Sequence, residues 1–139
     1  MGHLVFVYGT LKKGFPNHDQ YMGSAQLLGQ YHTVEKYPLV LCGERYVPCM
    51  IHSPGQGYHV EGELFEVGDE CLKRMDALER TQEPDGYRRH AIPVRSSEEI
   101  NQDMKEALAY LVPPENVTDR LSQNLRAYSA QVAKKYRPR

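Results

Sequence analysis

Apolar positions along this chain fall in short runs divided by turn-forming residues, and one run stands out. Leu4 to Tyr8 is wholly apolar or aromatic and rich in types that favour strands, the pattern of a strand buried on both faces. Gln30 to Val34, Tyr37 to Cys42 and Val47 to His52 are further short strand-like runs. Pro38 sets the second of these at a sheet edge or a strand start, and Val47 to His52 again carries a proline. After a turn at Pro54-Gly55-Gln56-Gly57, His59 to Val67 is the longest candidate. His59, Glu61, Glu63, Phe65 and Val67 share one of its faces, and Val60, Gly62, Leu64 and Glu66 the other. Tyr87 to Arg95 and Lys105 to Val112 complete the set, joined by a polar, acidic loop from Ser96 to Asp103.

Helical spacing is rarer. Asp19 to Leu28 fits a short helix. Gly68-Asp69 closes the long strand, with Asp69 placed to cap a helix starting near Glu70, whose apolar face is Leu72, Met75 and Leu78. Past the break at Pro113-Pro114, Leu121, Leu125, Tyr128 and Val132 recur at steps of four, three and four. That stripe predicts an amphipathic helix over Thr118 to Lys135, packed on the body. About six short strands with few helices define an α+β protein, and pattern alone fits a closed barrel and an open sheet equally.

Composition narrows the classes. The chain has 139 residues and a net charge of 17 − 18 = −1, enough length for one domain, residues 1–139, with its own core, and no electrostatic reason to expect nucleic acid or an anionic membrane. No apolar run approaches the roughly 18 residues of a membrane span, and the first residues lack the basic region of a signal peptide. Cys42, Cys49 and Cys71 are odd in number with no C-x-x-C pair, as expected of reduced thiols in the cytoplasm.

Two places carry candidate chemistry. The first follows Leu4 to Tyr8, where Gly9-Thr10-Leu11 ends the apolar run and Lys12-Lys13-Gly14, Pro16 and Asn17 make a turn. A glycine there allows unusual dihedrals or a close approach of another group. Consecutive backbone N–H groups at the rim of a core can hold a carbonyl oxygen as it becomes negative; an ordinary strand-to-loop exit fits the same residues. The second is Glu79. It lies four residues after Met75 and seven after Leu72, on the apolar stripe, while Glu70, Lys73, Arg74 and Arg80 fall on the opposite half. Desolvation there makes a carboxylate more basic. A snorkelling or arginine-paired glutamate at the helix end fits equally.

Other constellations are weaker. Cys49 and His52, three apart on a strand, point to opposite faces. His59, Glu61 and Glu63 could ligate a divalent metal, but a solvated strand face explains them without one. Lys12 and Lys13 read as solvated lysines, since the loop lacks P-loop spacing.

The blocks Tyr8-Gly9-Thr10-Leu11 with Lys12-Lys13-Gly14 and Pro16-Asn17, Tyr37-Pro38-Leu39-Val40, Val60-Glu61-Gly62-Glu63, and Met75-Asp76-Ala77-Leu78-Glu79 with Tyr87 occur in an order that resembles the γ-glutamylamine cyclotransferases of the γ-glutamyl cyclotransferase-like family. The resemblance covers roughly Leu4 to Val94 and is weakest after Ser96. It implies a small mixed β-barrel of about six strands with helices outside. It implies conversion of γ-glutamyl amines, such as γ-glutamyl-ε-lysine, to 5-oxoproline and the free amine. Glu79 falls where the family keeps its general base and acid. Tyr8, Gly9, Thr10 and Leu11 fall at its substrate loop, and Tyr87 at a site tyrosine that orients substrate or packs. The segment around Glu61 and Glu63 would lie near the cavity, with one of them satisfying buried backbone. That chemistry requires no cofactor or metal and a small-molecule partner only, in a monomer or weak dimer. A cyclotransferase for γ-glutamyl amino acids, or a binding module on the same fold, are the alternatives.

Overall fold

A computed structural model describes residues 2–98, 103–117 and 119–138. Its strands are β1 (His3–Val7), β2 (Gln26–Thr33), β3 (Leu39–Cys42), β4 (Val47–Met50), β5 (Glu61–Val67), β6 (Arg88–Ser96) and β7 (Met104–Leu111). Its α-helices are α1 (His18–Met22), α2 (Asp69–Leu78) and α3 (Ala130–Ala133). Strands β1, β5, β2, β6 and β7 close into a barrel in that order, and β3 pairs with β4 in a separate hairpin. Neighbours in the barrel are antiparallel except at its seam, where β1 meets β7 in parallel through Val5 and Leu108. The barrel therefore has five strands rather than about six. Pro48 has no N–H to extend a ladder, and only the end of β4 joins the barrel: Val112 N–H donates to the Met50 carbonyl at 2.9 Å.

β1 is buried on both faces. Phe6 and Tyr8 pack with Leu64, Ile92, Val94, Ala109 and Leu111 in the barrel core. Val5 and Val7 pack with Phe65 and Val67 beneath Met22 of α1 and Cys71, Leu72 and Met75 of α2. Burying each such side chain contributes about 1.5–3 kcal/mol, so the first strand is pinned from both sides. Asp69 opens α2 instead of capping it. Gly68 is the cap residue, and the Asp69 carboxylate meets His3 Nε2 at 2.6 Å, a hydrogen bond that holds its pKa down.

Two expected helices change. The Asp19 to Leu28 segment divides, because α1 ends at Met22 and Gln26-Leu27 pairs with Glu66 and Phe65 of β5. The Thr118 to Lys135 helix does not form; Thr118 lies outside the described residues, and only Ala130–Ala133 is α-helical. Residues 119–129 run alongside β3 instead. Leu121 N–H donates to the Leu41 carbonyl and Leu125 N–H to the Leu39 carbonyl, both at 2.8 Å. Ser122 Oγ accepts the Leu41 N–H at 2.9 Å. The outer edge of β3 had backbone groups to satisfy, and this segment satisfies them at the expense of its own helix. Tyr128, fully buried, then enters the barrel core, while Leu121 is 49% exposed. The Ser96 to Asp103 loop lies partly outside the described residues.

Candidate active site

The turn after β1 is tied down from several directions. Lys12 N–H donates to the Gly9 carbonyl at 3.1 Å, and Asn17 N–H to the Thr10 carbonyl at 2.9 Å. Asn17 Nδ2 donates to Thr10 Oγ1 at 2.9 Å. His18 Nδ1 lies 2.9 Å from the Leu11 carbonyl, which only accepts, so that nitrogen carries the proton. Glu63, itself buried, accepts the N–H of exposed Lys13 at 2.7 Å, so of the two β5 glutamates it is Glu63 that satisfies a backbone group, one on an exposed residue rather than buried. Gly9, Thr10 and Leu11 are buried and their carbonyls are engaged, while their N–H groups donate to no backbone carbonyl of the described residues. Gly9 is required by close approach rather than by dihedral: a Cβ there would stand 2.6 Å from Pro48 Cγ.

Helix α2 stops in a way that fixes Glu79. Arg80 adopts the left-handed conformation at φ 55°. Its N–H donates to the Ala77 carbonyl, and Thr81 N–H donates back to Asp76, both at 3.2 Å. This is a Schellman stop with Glu79 as the last half-helical residue. The Glu79 carbonyl accepts the Tyr87 N–H at 3.0 Å, which brings the start of β6 alongside. Tyr87 Oη then donates to the Pro48 carbonyl at 2.7 Å and touches Cys49 Sγ at 3.3 Å. Tyr8 Oη donates to the Tyr110 carbonyl at 2.7 Å and accepts the Met50 N–H at 3.3 Å. Tyr110 Oη donates to Asp76 at 2.6 Å.

These pieces surround one cavity of about 250 Å³. Tyr8, Gly9, Thr10, Leu11, Glu79 and Tyr87, separate in sequence, all line it. So do Asn17, Arg45, Pro48, Tyr110 and Tyr136, which the sequence did not single out as site residues. Asn17 had a signal, its place in the turn motif. Tyr136 reaches the cavity because its hydroxyl accepts from Asn17 Nδ2 at 3.1 Å, a contact made across the whole chain.

Glu79 is the one carboxylate among the described residues lining the cavity. Burial, then the Glu79 charge, pushes the Tyr8 hydroxyl well above its ordinary range. Burial, then the neighbouring Cys49, Tyr8 and Glu79, does the same to Tyr87. Burial and the bond to Asp76 raise Tyr110. These phenols stay protonated near neutral pH. Among the described residues no group of three or more His, Cys, Asp or Glu is placed to hold a metal ion. His59 Nδ1 instead faces the Thr33 carbonyl at 3.0 Å, and Glu61 is exposed. Lys12 is not simply solvated, for its Nζ donates to the Tyr128 carbonyl at 2.6 Å; Lys13 is exposed. Cys49 is buried and His52 exposed, its ring tilted at 44° to that of His90 with ring centres 4.2 Å apart. Cys42, Cys49 and Cys71 are all free thiols. No described helix is long and apolar enough to cross a membrane.

Residues 5–130 match the family described as Gamma-glutamyl cyclotransferase, AIG2-like. The chain is 46% identical over 99 residues to a rat protein named gamma-glutamylaminecyclotransferase, covering 68% of this chain and 64% of that one. It is 43% identical over 100 residues to the human protein of that name, covering 69% and 64%. The match thus spans slightly less than two thirds of each of these relatives' length. The fold resembles the crystal structure of a mouse AIG2-like protein, with a TM-score of 0.83 and 32% identity over 99% of this chain and 97% of that one.

Proposed function

The chain belongs to the Gamma-glutamyl cyclotransferase, AIG2-like family, and from that premise we propose that it is a γ-glutamylamine cyclotransferase. In this reading it converts γ-glutamyl amines such as γ-glutamyl-ε-lysine to 5-oxoproline and the free amine. The observation that carries the proposal is the convergence of the Gly9–Leu11 turn and the Glu79 carboxylate on one cavity.

The substrate's own α-amine attacks its own γ-carbonyl carbon, forming the ring C–N bond and then breaking the bond to the leaving nitrogen. Ring closure is a matter of positioning, which can substitute for very high reactant concentration. Glu79 takes a proton from the attacking nitrogen and returns it to the departing one, so no net proton is gained or lost. The N–H groups of the turn hold the oxygen while it is negative. The Tyr8 hydroxyl is already spent on Tyr110 of β7 and Met50 of β4, which anchors the residue preceding the turn. Tyr87 supplies a wall and holds Pro48 against Gly9. The buried free thiols accord with a cytoplasmic setting. A monomer or weak dimer needs no further residue to complete this site. The test is release of 5-oxoproline from a panel of γ-glutamyl compounds by wild-type protein. Release from γ-glutamyl-ε-lysine is the expected result; release from none of the panel overturns the proposal.

A further inference from the structure

Resting on that reading, we propose that Arg45 reads a carboxylate on the leaving amine, so that the favoured substrate class is a γ-glutamyl amine whose amine is itself an amino acid. Besides Glu79, Arg45 is the one charged side chain among the described residues lining the cavity. It is half-buried, and no carboxylate of the described residues pairs with its guanidinium. Arg80 and Arg89, by contrast, are held by Asp85 and Asp76. A planar guanidinium on a residue lining a cavity, with no ion pair among the described residues, suits bidentate capture of a carboxylate.

Its position sets which carboxylate. The glutamyl moiety must fold into a five-membered ring between the Gly9–Leu11 turn and Glu79, so it is compact and stays at that wall. Arg45 stands on the connection between β3 and β4, where its carbonyl accepts the Arg137 N–H at 2.9 Å. Its cavity neighbours there are Val47, Pro48, Tyr136 and Pro138, apolar and aromatic surface suited to a methylene stem ending in charge. A lysyl leaving group has that form: its reacting ε-nitrogen and its carboxylate lie at opposite ends of a four-carbon stem.

The experiment compares γ-glutamyl-6-aminohexanoate, in which the amine carries a carboxylate at the far end of its stem, and γ-glutamyl-ε-lysine with γ-glutamylpentylamine, which keeps the stem and lacks both the carboxylate and the α-amino group. kcat/KM is measured for wild-type, Arg45→Gln and Arg45→Lys protein, with thermal melts to confirm folding. Wild type should favour the two carboxylate compounds. In Arg45→Gln the ratio of each one's kcat/KM to that of γ-glutamylpentylamine should collapse by roughly 10- to 100-fold, the scale of a lost charge-assisted hydrogen bond. Arg45→Lys should restore part of that ratio. A ratio unchanged for γ-glutamyl-6-aminohexanoate in Arg45→Gln, with it and γ-glutamylpentylamine slowed alike or neither affected, overturns the inference and leaves the cyclisation reading standing. Wild-type protein that releases 5-oxoproline from none of the three compounds overturns both.

Discussion

The cavity has two walls, and they are built in different ways. One is the turn of residues 8–11, the end of α2 and Tyr87. Its members are continuations of the barrel and of a helix stop, fixed by backbone hydrogen bonds such as Asn17 to Thr10 and Tyr87 to Glu79. The other is Arg45 to Pro48 with the C-terminal residues Tyr136 and Pro138. The tail is fastened there by the Arg137 N–H to Arg45 bond and the Asn17 to Tyr136 bond. The family match ends at residue 130, so Tyr136 and Pro138 fall beyond it. On the proposed reading the contrast separates two tasks. Chemistry that depends on sub-ångström placement of a carboxylate and an oxyanion seat belongs on the rigid wall, and selection among leaving groups can be left to the lightly attached one.

The largest expected effect lies on the rigid wall. Glu79→Gln keeps the shape and hydrogen-bonding capacity of the side chain but cannot carry a proton. One general acid–base group is typically worth ~10²–10⁴-fold, so 5-oxoproline release should fall by that order. A γ-glutamyl ligand should still bind, measurable by calorimetry, because the turn is untouched. Near-normal turnover would falsify the role given to Glu79. Loss of the folded state instead would make it a structural residue.

Gly9→Val comes next. A side chain at Gly9 meets Pro48, whose carbonyl holds Tyr87, so the collision displaces both walls at once. Misplacement by about an ångström can cost on the order of 10²-fold, and kcat/KM should drop by about that much in a protein that still melts cooperatively. Full activity in such a variant removes the turn from the mechanism. Thr10→Val is the milder partner, because the contact assigned to the turn is backbone N–H.

Tyr8→Phe should act on stability first. It leaves the Met50 N–H and Tyr110 carbonyl without their buried partner, a loss of about 1–3 kcal/mol, read from denaturant midpoints. The same tyrosine predicts a pH response. The raised folded-state pKa values of Tyr8, Tyr87 and Tyr110 mean that folded protein keeps protons the unfolded chain releases. Their contribution is complete below the ordinary tyrosine value of about 10 and is lost as pH climbs above it. Alkaline melts should therefore weaken above about pH 10, and less so in Tyr8→Phe. A flat profile would mean that these phenols are free to ionise.

The two walls also differ in how far the sequence disclosed them. β1, β5, α2 and the turn were legible because each is a local pattern reinforced by its neighbours: five apolar residues, a seventh-position glutamate, a glycine before a turn. The barrel's closure was not, since the β1 to β7 seam depends on a parallel pairing about 100 residues apart. The tail misled for a physical reason. Leu121, Leu125, Tyr128 and Val132 keep helical spacing, yet the edge of β3 offers hydrogen bonds that a free helix would forgo. Burial of Tyr128 within the barrel adds what an isolated helix face would lack. Arg45 and Tyr136 carry no local signal at all; their places in the cavity arise from where the chain ends up.

Tyr136→Phe is the finest cut between the walls. It removes one hydrogen bond, from Asn17 Nδ2 to Tyr136 Oη, and keeps the ring that lines the cavity. Asn17 retains its bonds to Thr10, so the turn should hold its shape. The lost bond is worth about 0.5–1.5 kcal/mol net, which bounds the change at roughly tenfold and confines it to docking of the tail. KM for γ-glutamyl-ε-lysine should therefore rise by up to about that factor, with kcat nearly unchanged. A short leaving group such as methylamine, which does not reach Tyr136, should show almost no effect. Asn17→Ala cuts both the tail and the turn, so it should lower kcat as well. If Tyr136→Phe instead depresses kcat on every substrate alike, the tail belongs to the catalytic wall, and the division of labour drawn between the two walls is wrong.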